Sequence, residues 1–253
     1  MQAEEQVIKS VLARQPYPLL FGSLTGGHLY GFPSFDSDYD IRGAHILPLE
    51  KVVGLYSERE TITMQRPVDG LDIDLSTVDV SLYFQQLLKH SPNVLEEIFS
   101  PLVHYQTSFF DELRHIASGC ITLGYGQAYR SYAQKTWNSF EKQRRLKPLL
   151  YVFRVILTGL HLMETGEVES NIMRLNHRYR LPYLGDLIAL KLHGSEDTLL
   201  EDLDLEFYGR EFRRLMRLLT DARLGSNLPE EPRNKPELHA LLVRLRLEHA
   251  GND

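Results

Sequence analysis

The amino-acid sequence predicts an α+β protein with a sheet-forming N-terminal part and an all-helical C-terminal part. Two observations support this prediction. Short apolar segments with strand composition occur before about residue 105, and turn-forming glycines and aspartates separate the first two of them. Beyond that point the apolar residues recur at helical spacing and the strand signals stop. The predicted domains are therefore residues 1–105 and residues 106–253.

Composition limits the classes of protein to which this chain can belong. The chain has 253 residues, 43% hydrophobic residues and a net charge of −6, so its surface as a whole is not that of a nucleic-acid-binding protein. It has no run of about 18 apolar residues and no charged-then-apolar N-terminus, so we expect neither a membrane span nor a signal peptide. The single cysteine, Cys120, excludes an internal disulfide and a cysteine-based zinc site, and it favours a cytoplasmic location.

The N-terminal elements follow from the spacing of apolar residues. A helix is predicted over "EEQVIKSVLARQ" and strands over "YPLLFG", "YDIRGAHILPL" and "LDIDLSTV". In the last of these strands apolar and polar residues alternate, so one face is predicted to be buried and the other to carry Asp72 and Asp74. Helix starts are predicted at Asp79 and at Ser91, each in an N-cap position, with Pro92 at the first position of the second helix.

The C-terminal elements are predicted as amphipathic helices. Thr107 or Ser108 caps a helix that ends at Gly119. A long apolar helix is predicted over residues 149–165, with Gly166 at its C′ position. Further helices are predicted over residues 183–192, 206–223 and 236–248.

The stretch "GSLTGGHLYGFPSFDSDYDIRG", residues 22–43, carries five glycines and three alternating aspartates. A phosphate-binding loop, a calcium loop and metal-binding carboxylates at a strand edge are the candidates. A P-loop needs Lys and then Ser or Thr after its last glycine, where this chain has His28 and Leu29. An EF-hand needs glycine at its sixth position and glutamate at its twelfth, where this chain has Ile41 and Leu47. Both of these interpretations fail.

The third interpretation fits the pattern. Side chains at i and i+2 of a strand share a face, so Asp38 and Asp40 would direct two carboxylates at one point. Adjacent carboxylates repel unless a cation lies between them, and a divalent metal with oxygen ligands meets that need. Asp72 or Asp74 offers a third carboxylate from a neighbouring strand. Periodicity does not separate these two, and only one can reach the ion because they differ by about 7 Å along the strand.

The Gly26-Gly27 pair, the Tyr-Gly at residues 30–31 and the string "SDYDIRG" together resemble the DNA polymerase beta-type nucleotidyltransferase superfamily. They are most similar to the bacterial group that includes the RNA-ligase-associated polymerase-beta-like proteins. The segments "SPNVLEEIFSP" and "KPLLYVFRVILTGLHLMETGEV" also resemble that group, so the similarity covers most of the chain. It implies a small mixed sheet with helices in the N-terminal domain. Gly27 stands where that group usually has serine.

The resemblance implies an enzyme that uses Mg²⁺ or Mn²⁺ and moves NMP from an NTP such as ATP to an acceptor hydroxyl or phosphate, with release of pyrophosphate. Asp38 and Asp40 would hold both metals, and Asp74, which the strand-then-helix pattern favours over Asp72, would hold the acceptor-side metal. Small residues are expected to contact the nucleotide, namely Gly26, Gly27 and Ser37. The acceptor stays open between an RNA end, a small molecule and a protein, and so do the nucleobase and the oligomeric state.

A basic and aromatic segment spans residues 130–154, where seven cations stand against Glu141 alone. It is either a solvated helix face or a basic wall that binds a triphosphate or an RNA backbone. Lys147 is the preferred triphosphate contact. Arg42 is either a counter-ion to the aspartates or a phosphate contact. Two other functions remain open: a non-catalytic nucleotide-binding regulatory module and a metal-dependent phosphohydrolase.

Overall fold

A computed structural model of the chain describes residues 2–53, 55, 61–194, 198–200 and 204–250. Within these ranges the strands are β1 (Leu19–Leu24), β2 (Tyr39–His45), β3 (Thr61–Val68), β4 (Leu71–Asp79) and β5 (Val103–Gln106). The helices are α1 (Gln2–Ala13), α2 (Gly26–Tyr30), α3 (Leu49–Val53), α4 (Val80–Leu88), α5 (Pro92–Ile98), α6 (Ser108–Ser118), α7 (Gly124–Gln143), α8 (Leu146–Thr165), α9 (Ile172–Tyr179), α10 (Pro182–His193), α11 (Leu205–Leu224) and α12 (Lys235–Glu248).

Contacts between residues divide the chain into two compact units. We call the first the sheet unit, which consists of Met1–Gly26, Asp38–Cys120 and Pro232–Asp253. We call the second the helical unit, which consists of Gly27–Ser37 and Ile121–Glu231. Both units are discontinuous in sequence, so the single boundary near residue 105 stays a prediction.

The sheet unit contains one mixed five-stranded sheet in the order β3-β4-β2-β1-β5. Strands β2 and β4 run parallel, and each of the other neighbouring pairs runs antiparallel. Three strands lie where the sequence predicts them, whereas β3 and β5 carry no strand signal that we recognised. The edge strand β3 contains Pro67 and lacks a buried residue, which explains why its pattern is weak.

Helices cover both faces of this sheet. On one face an apolar cluster joins α1 to the strands, with Ile8, Val11, Leu12, Leu19, Leu24, Ile41, Ile73 and Leu75 at its centre. On the other face the ring of Phe21 stacks on Phe110 of α6, with 4.4 Å between the ring centroids. The same ring meets Tyr83 of α4 edge-on at 5.5 Å. Burial of these side chains is the main stabilising contribution to the unit.

The end of β4 is fixed by polar contacts. Asp79 is the N-cap of α4, as the sequence predicts, and its Oδ1 accepts a hydrogen bond from the Ser81 N–H at 2.9 Å. Its Oδ2 accepts one from the Leu47 N–H at 3.1 Å. Arg246 of α12 donates to the Asp79 carboxylate and to the Leu47 carbonyl, so α12 is anchored to the sheet unit by a buried ion pair.

The helical unit is built around α8. Gly159 of α8 lies so close to α7 that an added Cβ would be 2.6 Å from the Cβ of Tyr129. The ring of Trp137 on α7 stacks on Phe212 of α11, with 4.5 Å between centroids. Helix α8 ends at Gly166, which has a φ of 76° and is the left-handed C-cap that the sequence predicts.

Helix α8 is also apolar enough, by length and composition, to cross a membrane. Its mean hydropathy is 1.4 over the most apolar window, and 78% of that window is buried inside the structure. A core helix of a globular protein has this pattern. That the protein has no membrane partner stays a prediction.

Candidate metal centre

Three carboxylates meet at the start of β2. Asp38 directly precedes β2, Asp40 is the second residue of that strand, and Asp74 lies on β4. One carboxylate oxygen of each lies within 4.8 Å of the others, and all three residues are half-buried. This donor set consists of oxygen alone, which fits a hard divalent cation such as Mg²⁺ or Mn²⁺.

The register of the parallel pair selects one of the two candidate acids of β4. Asp40 lies opposite Asp74, so both side chains leave the sheet at the same level. Asp72 lies one pleat repeat earlier, is exposed and pairs with Pro67 of β3. The structure therefore brings Asp74, and not Asp72, to the pair that begins β2. The catalytic and metal-binding roles of the three aspartates remain predictions.

Arg42 holds this cluster together. Its Nη2 donates to Asp40 Oδ1 at 2.9 Å. Its Nη1 lies 3.1 Å from Asp74 Oδ1 and 2.7 Å from the Asp74 main-chain carbonyl. Arg42 is thus a counter-ion to the carboxylates, one of the two roles that the sequence allows, and its contact with phosphate stays a prediction. Asp40 and Asp74 share this one guanidinium and Asp38 lies beside them, so a divalent cation would offset the negative charge of the cluster.

Gly26 closes the other side of the cluster. It has a φ of 61°, which favours glycine, and an added Cβ would lie 2.0 Å from Asp40 Oδ2. The preceding Thr25 fixes this approach, because its N–H donates to the Asp40 carbonyl at 2.8 Å. Glycine at this position therefore brings backbone against a carboxylate of the candidate site.

Glu97 of α5 is a buried acid near Arg42. It accepts a hydrogen bond from the Tyr83 hydroxyl at 2.9 Å. Burial raises the pKa of Glu97 to about 7, and the bond from Tyr83 and the positive charge of Arg42 oppose that rise. The sequence analysis did not single out Glu97, because "LEEIF" reads as an ordinary half-polar helix.

The other predicted nucleotide contacts lie in the helical unit. Gly27 is in the first turn of α2, and its carbonyl accepts from the Gly31 N–H at 3.0 Å. The Ser37 hydroxyl bonds to Ser34 within the loop that leads into Asp38, with 3.0 Å between the two hydroxyl oxygens. This loop is tied to α10 by Lys191, whose ammonium group donates to the Ser34 hydroxyl at 2.7 Å. Nucleotide contacts by Gly27 and Ser37 stay predictions.

Lys191 was missed by sequence reasoning although a signal was present. It is 1% exposed and lies on the buried stripe of α10 with Leu184, Leu187 and Ile188, at helical spacing. A lysine in such a stripe is seldom fully buried unless it has a partner. A cation inside an apolar helical face was therefore the signal.

The predicted basic and aromatic segment divides into two groups. Arg154 is fully buried, and its guanidinium lies 3.8 Å from the centroid of the Tyr30 ring. Tyr129, Phe140 and Trp137 are also buried, so these aromatic residues form core and not a solvent-facing platform. The remaining group lies at the surface and includes Lys147.

Lys147 lines a groove of about 510 Å³ between α7 and the start of α8. Lys135 and Arg145 line the same groove. The structure thus places Lys147 among cations, and its contact with a triphosphate stays a prediction.

The chain is similar to proteins from several organisms. The uncharacterized protein MJ0002 of Methanocaldococcus jannaschii is 26% identical over 236 residues, which cover 90% of this chain and 94% of that protein. The uncharacterized protein YcgL of Bacillus subtilis is 30% identical over 199 residues, which cover 74% of this chain and 73% of that protein. A solved nucleotidyltransferase-like protein from Exiguobacterium sibiricum aligns at 10% identity with a TM-score of 0.36, over 88% of this chain and 75% of that one.

A family match covers nearly the whole chain. Residues 2–244 match the family described as the RNA repair pathway DNA polymerase beta family. The match spans the aspartate cluster, the sheet and the helices from α1 to α11, and most of α12. This chain therefore belongs to the RNA repair pathway DNA polymerase beta family.

Proposed function

We propose that this protein is a divalent-metal-dependent nucleotidyltransferase that moves NMP from an NTP to an acceptor and releases pyrophosphate. The observation that carries the proposal is the carboxylate cluster, in which oxygens of Asp38, Asp40 and Asp74 lie within 4.8 Å of one another. Membership of a polymerase beta-type family supports it. An RNA end is the acceptor that we favour.

Asp38 and Asp40 would hold the metals that bind the triphosphate, and Asp74 would hold the ion nearest the acceptor. When bound, Mg²⁺ or Mn²⁺ ions supply Lewis-acid stabilisation to the attacking and leaving oxygens of an in-line displacement. The protein itself then has to position charged groups, which is most of what phosphoryl-type transfer requires.

Arg42 performs that positioning in the sheet unit. It donates to Asp40 and to Asp74 at once, so the two strands present their carboxylates in a fixed arrangement. In the transfer, the acceptor oxygen bonds to the α-phosphorus while the bond to the bridging oxygen of the β-phosphate breaks. The proton of the acceptor hydroxyl passes to Asp74 or to water.

The test is incubation of the protein with each α-labelled NTP, Mg²⁺ and a mixture of RNA oligonucleotides with different ends. We expect pyrophosphate release from at least one NTP and label in an oligonucleotide. Asp38→Asn should abolish both. Asp72→Asn, an exposed acid on β4, is the matched control and should retain both.

Two results would contradict the proposal. Label that appears only in free NMP would indicate the phosphohydrolase. Nucleotide binding without pyrophosphate release from any NTP, across the acceptor mixture, would indicate the regulatory module.

A further inference from the structure

The groove between α7 and α8 is a second candidate binding site. All of its lining residues belong to the helical unit. Its lining comprises Tyr132, Lys135, Thr136, Ser139, Gln143, Arg145, Lys147, Pro148 and Tyr151. The α7 members are spaced by three or four residues, so they form one continuous face of that helix. At about 510 Å³ the groove is larger than one phosphate needs and within the range of ligand sites.

All charged residues in the described lining of this groove are positive. Three of its lining residues are cations, Lys135, Arg145 and Lys147, and none of its described lining residues is acidic. The chain as a whole has a net charge of −6. The lining of the groove therefore differs in sign from the net charge of the chain. Electrostatic complementarity therefore indicates a ligand with several negative charges.

Two tyrosines add flat apolar surface beside the cations. The ring of Tyr151 is held edge-on by Tyr30 at 5.3 Å and by Phe32 at 5.6 Å between centroids. The Tyr151 ring is thereby pre-organised, so it loses less side-chain entropy when a ligand stacks on it. Tyr132 lies on the α7 side of the same groove.

A hydroxyl donor completes the set. Gln143 donates its side-chain N–H to Ser139 Oγ at 2.8 Å, an arrangement that leaves the Ser139 O–H to donate to another acceptor. Thr136 donates instead to the Tyr132 carbonyl at 2.9 Å. Cations, a hydroxyl donor and aromatic rings are the combination with which proteins bind single-stranded nucleic acid.

We infer that the α7–α8 groove binds a single-stranded oligonucleotide, with its phosphodiesters on the three cations and a base against the tyrosines. An NTP is disfavoured because it carries a metal with it, and the described lining offers that metal no carboxylate. Lys147 then contacts a phosphodiester and not the triphosphate that the sequence predicts. That the bound strand is the acceptor rests on the proposed function, whereas the binding itself does not.

The experiment measures the affinity of the full chain for a labelled single-stranded RNA 12-mer by fluorescence anisotropy at several salt concentrations. The test variants are Lys135→Ala combined with Arg145→Ala, and Tyr132→Ala. Arg130→Ala is the matched control, because it removes an exposed cation of α7 about 200° around the helix axis from Tyr132.

We expect the double variant to bind the RNA at least tenfold more weakly, and its slope of log affinity against log salt to shrink by about 1.4. Tyr132→Ala should lose about fivefold or more. Arg130→Ala should match the wild type. Circular dichroism of each variant establishes that the helices persist.

Three outcomes would overturn the inference: RNA affinity unchanged in the double variant, an equal loss in Arg130→Ala, or a loss of NTP affinity without a loss of RNA affinity. Failure of the proposed function is separate and would appear as groove-dependent RNA binding with no transfer from any NTP.

Discussion

The two units handle charge in opposite ways. In the sheet unit Asp40 and Asp74 share one guanidinium, and a carboxylate oxygen of Asp38 lies within 4.8 Å of an oxygen of each. In the helical unit the cations of the groove lie on α7 (Lys135) and at the start of α8 (Arg145 and Lys147), and the described lining has no acidic residue. The first arrangement is coupled, because a change at one group alters the energy of the others. The second gathers like charges in one groove, where they add to the potential that a ligand meets.

The sharpest way to test this contrast is to compare the two acids of β4. Asp74→Ala should lower turnover by roughly a thousandfold or more, because the proposed function makes Asp74 a metal ligand. Binding of the NTP–Mg²⁺ complex should persist, since Asp38 and Asp40 remain. Asp72→Ala should change turnover less than about twofold, as is usual for an exposed residue away from the site. Steady-state kinetics and equilibrium binding measure the two effects.

An exchange of these two phenotypes would mean that the register of β4 against β2 is shifted by two residues in solution. Circular dichroism of both variants provides the folding control.

Glu97 allows a pH test of the sheet unit. Its folded pKa of about 7 exceeds the pKa of an unfolded glutamate. The stability that protonated Glu97 contributes is therefore fully present below the unfolded pKa and is lost as the pH rises through the folded pKa. The loss amounts to about 3 kcal/mol by linkage. Glu97→Gln keeps an acceptor for Tyr83 but cannot ionise, so it should be more stable than the wild type at pH 8 and about equal to it at pH 4, below the pKa of an unfolded glutamate.

Denaturant unfolding between pH 4 and pH 9 provides this measurement. Glu141→Gln, which changes an exposed acid of α7, should follow the wild-type profile. Parallel profiles for wild type and Glu97→Gln would show that Glu97 titrates normally.

Arg42 tests the coupling of the carboxylates directly. Arg42→Gln should lower the free energy of unfolding by about 2 kcal/mol, because charge-assisted hydrogen bonds are lost and the carboxylates repel. Millimolar Mg²⁺ should restore part of that loss, since a ligand that binds the folded state stabilises it. Arg66→Gln, which removes an exposed cation of β3, should cost little and show no such recovery.

The smallest effect is expected at the end of α8 in the helical unit. Gly166→Ala should cost about 1 kcal/mol, because alanine is strained at a φ of 76°. Steric crowding does not contribute, since the nearest heavy atom to an added Cβ is 3.7 Å away. Gly185→Ala, inside α10 with nothing within 4 Å, should stabilise the protein by a similar amount. Neither shift should depend on pH or Mg²⁺.

Local pattern was enough to predict the core of the fold. Alternation of apolar and polar residues predicts β4, and capping chemistry predicts the starts of α4 and α6 and the end of α8. The strands β3 and β5 lie at the edges of the sheet, and none of their residues is buried. In β3 the residues Ile62 and Met64 do alternate with Thr61 and Thr63, so that strand carries a short signal that we missed.

The candidate site was predictable in kind but not in detail. The spacing of Asp38 and Asp40 is a local signal, whereas the choice of Asp74 depends on a strand register that no local pattern encodes. Arg42 bonds to a residue 32 positions away, and Lys191 bonds to one 157 positions away. Such contacts exist only after packing, so a sequence read by itself shows the candidates without their partners.

The anchor made by Arg246 has a consequence for biosynthesis. Its contact with Asp79 joins positions 167 residues apart, and the larger segment of the helical unit, Ile121–Glu231, is translated between them. A chain emerging from the ribosome can therefore complete the middle helices before the sheet unit receives α12. During that interval the carboxylate of Asp79 lacks its cation, and docking of α12 supplies the partner that a buried charge needs. The carboxylate cluster, which depends on the strand that Asp79 ends, would thus mature late in synthesis.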